Sequence, residues 1–238
     1  MYRVSSLIVD SLLRFWQRVP GPVIHNLEKG RALKKLFWHL NVDGISGAYL
    51  EFGVAHGHSM RSAQIAEATS HSKKLGVKRV RRGLYGFDTF DKFIGDAVLD
   101  DHPTWRGDLF NVPFKKVKTR FRHAKNVKFF KLDVNTLASD KELDYQHFGI
   151  EEKASIILFD MDLYQPTRSA LEWSVGLLQQ GTFLVFDEYF AFAGNQQKGE
   201  ARALKEFLEK HPEFSVREFD NYGAGARIFI VDMCQPTH

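Results

Sequence analysis

The 238-residue chain holds a single cysteine, Cys234. One cysteine excludes an intrachain disulfide framework and any CxxC zinc site, and it fits a reducing compartment. No apolar run comes near the roughly 18 residues needed to cross a bilayer. An export signal is missing too, because Asp10, Arg14 and Arg18 interrupt what would be its apolar core. The expectation is a cytoplasmic protein without stable membrane insertion. Charge of one sign is also scarce: 33 basic against 29 acidic residues leave +4. That balance lacks the clustered basic footprint of a nucleic-acid binder, so no nucleic-acid partner is expected. Repeats and low-complexity tracts are absent. What is present is core material, 44% apolar residues including 21 phenylalanines, enough for one sizeable domain.

Val4, Leu7, Ile8, Leu12, Phe15 and Trp16 share one face at helical spacing. Such a face packs on the main body or on a second copy of the chain, and a homodimer is the partner expected from it. After "VPGP" (Val19–Pro22) a second helix is predicted over 26–40. From Gly47 strand and helix signals alternate. "AYLEFGV", "GLYGFDTF", "VKFFKLDV", "ASIILFDM" and "TFLVFDEY" read as five strands, and helical segments begin at His58, Thr167 and Glu200. Alternation of this kind argues for a parallel sheet covered on both faces. "FSVREFDN" and "ARIFIVD" flank "YGAG" as a closing hairpin that adds an antiparallel edge. Residues 91–126 break the alternation. A connection this long in a compact α/β domain commonly serves as a lid. Its second half carries Lys115, Lys116, Lys118, Arg120, Arg122, His123 and Lys125, either a solvated helix face or a basic rim for an anionic acceptor.

Ligands of open α/β sheets bind beyond the carboxyl ends of the strands, and there this chain is acidic. Glu51, Asp88 and Asp133 follow the first three strand signals, Asp160 and Asp162 the fourth, Asp187 and Glu188 the fifth. In the first turn, "EFGVAHGHS", Gly53 and Gly57 let the backbone approach a ligand before the helix starts. The turn is not G-x-G-x-x-G, since Ala55 stands between the glycines and no third follows. Asp88 at the end of the second strand suits ribose hydroxyls. Asp160 and Asp187 are one strand–helix–strand crossover apart, and with Glu188 they would repel unless a cation joined them. Three carboxylates plus waters suit Mg²⁺, leaving Asp162 to take a proton.

"ExGxxxGxS" over Glu51–Ser59 resembles the first motif of class I S-adenosylmethionine-dependent methyltransferases of the catechol O-methyltransferase type. "DMDLYQPTRSAL" and "GTFLVFDEY" resemble more particularly the macrocin O-methyltransferase family, which methylates sugar hydroxyls in natural products. The resemblance covers about residues 46–232. It implies a Rossmann-like doubly wound α/β sheet, mostly parallel with an antiparallel C-terminal hairpin strand. The domain would span 46–238 with a lid at 91–126, behind a helical N-terminal extension at 1–45. It implies S-adenosylmethionine bound by the turn through Glu51, Gly53, Ala55, Gly57 and Ser59, with Asp88 on the ribose and Asp133 near the adenine. It implies Mg²⁺ on Asp160, Asp187 and Glu188, Asp162 as general base, and a small-molecule hydroxyl acceptor, a sugar or glycosylated natural product. Two positions depart from the family pattern: Glu188 stands where an aspartate is usual, and Asp88-Thr89-Phe90-Asp91-Lys92 replaces D-S-F-x-G.

Of the competing readings, which include a dinucleotide oxidoreductase lacking its third glycine and a nucleic-acid methyltransferase lacking an Asn-Pro-Pro-Tyr-like or Pro-Cys motif, two weigh most. A nucleotide-sugar glycosyltransferase also uses Asp-x-Asp, but Glu51 beside a diphosphate is electrostatically poor, whereas beside a sulfonium it is sensible. A non-catalytic methyltransferase-fold binding module would be expected to have lost the glycines or the acidic residues, and both remain.

Overall fold

A computed structural model describes residues 2–91, 102–104 and 111–233. Seven strands form one sheet in the order β3-β2-β1-β4-β5-β7-β6. They are β1 (Ala48–Phe52), β2 (Leu84–Asp88), β3 (Val127–Lys131), β4 (Ala154–Phe159), β5 (Phe183–Phe186), β6 (Phe214–Tyr222) and β7 (Ala226–Met233). The first five pair in parallel. Every residue of β1, β4 and β5 is buried, as expected when helices cover both faces of a parallel sheet. The C-terminal hairpin forms the antiparallel edge of the sheet, with its second strand on the inside. β7 lies between β5 and β6, antiparallel to both; it buries Ala226, Ile228 and Val231, whereas β6 is buried only at its two ends.

Register positions the site. Phe52 pairs with Phe87 and Phe159, and Phe159 pairs with Phe186. The strands therefore end in step, and the residues after them emerge side by side. Asp160 N–H donates to the Phe52 carbonyl and Asp187 N–H to the Phe159 carbonyl. Beneath that edge Phe130, Phe87, Phe52, Phe159 and Phe186, one from each parallel strand, stack at centroid spacings of 4.8–5.8 Å. Such offset aromatic pairs contribute about 0.5–1.5 kcal/mol each beyond their buried area.

The helices are α1 (Tyr2–Trp16), α2 (Gly21–Val42), α3 (His58–Thr69), α4 (Phe114–Arg120), α5 (Tyr164–Ser174) and α6 (Gly199–Lys210). The expected boundary at residue 45 does not separate two units. Helix α2 buries Ala32, Leu33, Leu36, Phe37 and Leu40 in the core beside Tyr49, Ile156 and Phe183, so it belongs to the domain. Only α1 stands apart, with Leu7, Ile8, Leu12, Phe15 and Trp16 exposed. Among the described residues no helix is long and apolar enough to cross a membrane. Of the expected lid at 91–126, residues 92–101 and 105–110 lie outside the described residues, as does Cys234.

Candidate active site

A cleft of about 720 Å³ opens over the carboxyl ends of the parallel strands. It lies where the strand order reverses between β1 and β4, the place at which such sheets bind ligands. Gly53, Ala55, Ser59, Asp88, Asp133, Asp160, Asp162, Asp187 and Glu188 all line it. Glu51 and Gly57 support the turn from below and behind.

At one end sits the turn from β1 to α3. Gly53 has φ +88°, and a Cβ there would meet the Asp160 carbonyl oxygen at 1.9 Å. No other residue fits without moving β4. Gly57 starts α3 with φ +73° against the Phe121 ring. Ala55 is held at φ +44°, a left-handed conformation costly for a residue with a Cβ. Asp88 fixes this turn. Its Oδ2 accepts the Val54 and Ala55 N–H groups at 2.7 and 2.8 Å, and its Oδ1 accepts Phe90 N–H at 2.7 Å. The carboxylate expected to meet ribose thus faces the cleft while already engaged with backbone. Asp133 accepts Asn135 N–H and Nδ2 at 3.0 and 2.9 Å, capping the helical turn after β3.

Glu51 is fully buried beneath the turn, its Oε2 accepting from Tyr49 OH and its Oε1 from Ser59 Oγ, both at 2.6 Å. Burial pushes its carboxyl up to about 7 against the help of those two bonds. A positive charge lodged above it in the cleft would favour the ionised form.

At the other end the acidic residues meet, but around a side chain that strand-end logic does not reveal. Lys29, from α2, places Nζ 2.7 Å from Asp160 Oδ2 and 2.7 Å from Asp187 Oδ2. His25, one turn earlier, lies with Nε2 3.0 Å from Asp187 Oδ2, and Tyr222 OH donates to Asp187 Oδ1. Burial works against both Lys29 and Asp187 carrying charge. It is overcome for Lys29 by Asp160 and Asp187, which hold the ammonium above its ordinary range, and for Asp187 by Lys29 and then His25, which hold the carboxylate far below its own. Burial and then the Asp187 charge push Asp160 up. Asp162, at φ +64°, is pushed well up by burial and then by Glu188 and Asp187. Glu188 is raised by burial and Asp187.

The residues expected to bind Mg²⁺ are therefore not a free ligand set. The two aspartates that should bridge a metal are bridged by an ammonium. A Mg²⁺ ion needs oxygens at about 2.0–2.1 Å in near-octahedral array, which Asp160 and Asp187 cannot offer while Lys29 stands between them. A narrower set remains, His25, Asp187 and Glu188, whose ligand atoms lie within 4.8 Å of one another. In it His25 already contacts the carboxylate it would have to share. The set as read from the sequence does not fit the ion.

No protein-family model matches the chain, and no curated protein sequence matches it. Solved structures do. The calicheamicin methyltransferase CalS11 aligns at TM-score 0.64 and 20% identity, over 95% of this chain and 85% of its own. An apo structure of CalS11, described as a TDP-rhamnose 3'-O-methyltransferase, aligns at 0.56 and 20% identity, over 94% and 86%. The O-methyltransferase NovP aligns at 0.63 and 16%, over 85% and 79%. An O-methyltransferase from Bacillus cereus in complex with SAH aligns at 0.50 and 14%, over 84% and 79%. The fold is that of the class I methyltransferases. At these identities the likeness is one of fold.

Within this methyltransferase fold, strand-end reasoning misses Lys29, His25, Tyr222 and Glu200. Glu200, at the start of α6, is fully buried; its Oε2 accepts Glu188 N–H at 3.0 Å, and its Oε1 has no partner among the described residues. Lys29 did carry a signal: it falls in register with Ala32, Leu33, Leu36 and Leu40, the buried stripe of α2. A lysine in such a stripe requires a buried carboxylate partner. Of the basic residues from 115 to 125, Lys115, Lys116 and Lys118 are exposed on α4. Arg120 instead donates to the His56 carbonyl at 2.9 Å, steadying the turn.

Proposed function

We propose that the protein is an S-adenosylmethionine-dependent O-methyltransferase acting on a small-molecule hydroxyl, that of a sugar or a glycosylated natural product. The observation that carries this is the cleft at the switch point of a methyltransferase fold. It joins a glycine turn backed by a buried, near-neutral Glu51 to a wall of Asp160, Asp162, Asp187 and Glu188. An anion-rich cleft suits a cationic sulfonium ligand and disfavours the phosphates of a nucleotide sugar.

S-adenosylmethionine would supply a sulfonium methyl, a strong electrophile. The turn from Gly53 to Ser59 would receive its methionine part, and Asp88 and Asp133 face the side left for ribose and adenine. One proton must leave the acceptor hydroxyl, and Asp162 holds the carboxylate to take it. Burial and then the Glu188 and Asp187 charges raise its affinity for protons, the direction that strengthens a base. The Asp160-Met161-Asp162-Leu163-Tyr164 run supports macrocin-type chemistry on a sugar. Metal dependence does not form part of the proposal, because Lys29 bridges the aspartates that would bind the ion.

Calorimetric titration of S-adenosylmethionine into the purified protein tests it. Binding of one equivalent at micromolar affinity is expected, and Asp162→Asn is expected to keep binding while losing methyl transfer. An absence of binding in the presence and absence of Mg²⁺ would sink the proposal.

A further inference from the structure

We infer that Lys29 is the resident cation of the acidic cluster, a tethered ammonium standing where a divalent ion would bridge Asp160 and Asp187, and that the site works without such an ion. The consequence for catalysis rests on the methyltransferase proposal; the exclusion of the ion does not.

Three observations converge. First, the ammonium is bonded to both carboxylates at once, at 2.7 Å to each. Second, it cannot easily withdraw. Lys29 is buried, and the helix that carries it is fixed by Leu33, Leu36 and Phe37 in the core. At the cleft end the helix is fixed again by Glu28, whose Oε2 accepts Gly223 N–H at 2.7 Å. Third, Asp187 has little left for a metal. Lys29 and His25 share its Oδ2, and Tyr222 donates to Oδ1. A carboxylate oxygen accepts about two hydrogen bonds, so Oδ2 is filled. A divalent ion bridging the same Asp160 Oδ2 and Asp187 Oδ2 would have to expel the ammonium that already holds both, from a pocket shaped by its own helix.

The ammonium also lines the cleft, with two of its three N–H donors engaged by the aspartates. Among the described residues the third has no partner, and it could be given to the oxygen of an acceptor hydroxyl. Lys29 would then orient that oxygen and stabilise the negative charge that grows as the proton passes to Asp162. A monocation polarises oxygen less than Mg²⁺, and its advantage is permanence: it is present at any metal concentration.

The probe is Mn²⁺, which prefers the same carboxylate oxygens as Mg²⁺ and is followed by calorimetry and by loss of its free-ion magnetic resonance signal. The wild-type chain, freed of metal by chelator, is expected to take up no stoichiometric Mn²⁺ below about 1 mM, the weak limit of built carboxylate sites. Lys29→Met, with the cation removed and its length kept, is expected to gain one Mn²⁺ at least tenfold more tightly, and to lose it again when combined with Asp160→Asn. Stoichiometric uptake by the wild type below about 1 mM, abolished by Asp160→Asn, would overturn the inference. The wild-type titration decides by itself should Lys29→Met fail to fold. S-adenosylmethionine binding is measured in the same chelated sample. Its absence there and again after Mg²⁺ is restored would remove the methyltransferase proposal while leaving the metal result standing.

Discussion

At the glycine end of the cleft the fixing contacts are close in sequence. Ser59 reaches Glu51 across 8 residues, and Asp88 takes the Val54 and Ala55 amides across 34 and 33. At the acidic end Lys29 reaches Asp160 and Asp187 across 131 and 158 residues, and His25 reaches Asp187 across 162. The two ends also differ in redundancy. The turn depends on backbone geometry that one side chain can ruin, whereas Asp187 is held by three donors from α2 and β6. A local, backbone-built site is brittle but readable. A site assembled from distant helices tolerates the loss of one contact and is hidden from strand-end reasoning.

The largest effect should come from Gly53→Ala. The new Cβ would meet the Asp160 carbonyl at 1.9 Å, at a φ of +88°, and both strand ends would have to part. A loss of about 4 kcal/mol or more is expected, in the range reserved for backbone strain and overpacking. Urea unfolding measures it. A loss under about 1 kcal/mol would mean that β1 and β4 do not meet in this register, and the brittleness of the glycine end would go with it.

Next in size is the pH response of Glu51. Its carboxyl is pushed from the ordinary 4.5 up to about 7 by burial. The folded state therefore binds the Glu51 proton more tightly than the unfolded chain does. Linkage then makes stability fall as pH rises through the window between those values, the reverse of a salt-bridged aspartate. Relative to Glu51→Gln, the wild type is expected to lose on the order of 2 kcal/mol between pH 5 and pH 8. Denaturant unfolding at both pH values measures the difference, and equal pH slopes for the two proteins would show that Glu51 ionises freely. A bound sulfonium should shrink the effect by favouring the charged carboxylate.

These two residues show what was legible. Apolar runs bounded by glycine and acid gave five parallel strands, and the parallel sheet then carried Glu51, Asp88, Asp133, Asp160 and Asp187 to one edge. Chemistry at that edge was harder to read. Asp88 was placed correctly, yet its oxygens serve the turn's own amides, because a strained turn at Ala55 needs acceptors before any ligand arrives. The carboxylates after β4 and β5 called for a cation, which was sound electrostatics, but sequence distance hid that the cation is Lys29. Helix α2 looked like an appendage because no motif marks it. Its buried stripe at Lys29, Leu33, Leu36 and Leu40 is what ties it to the sheet. The position of β7 inside the sheet was also unreadable, since a hairpin's pattern does not say which of its strands faces the existing edge.

The smallest effect should be that of Tyr222→Phe, and it tests redundancy at the acidic end. The hydroxyl donates to Asp187 Oδ1 from a buried position. A hydrogen bond to a charged group contributes about 1.5–3 kcal/mol. Here Lys29 and His25 remain on Oδ2, and Lys29 holds the charge in place. The phenyl ring keeps the packing of Tyr222 beside His25, 5.5 Å between centroids. The expected cost is therefore about 1 kcal/mol, below that range, measured by urea unfolding at neutral pH. A cost above about 3 kcal/mol, the level of breaking a buried ion pair, would place the hydroxyl among the indispensable supports of Asp187. The acidic end would then be as brittle as the glycine end, and the contrast between a readable, fragile turn and a hidden, redundant cluster would fail.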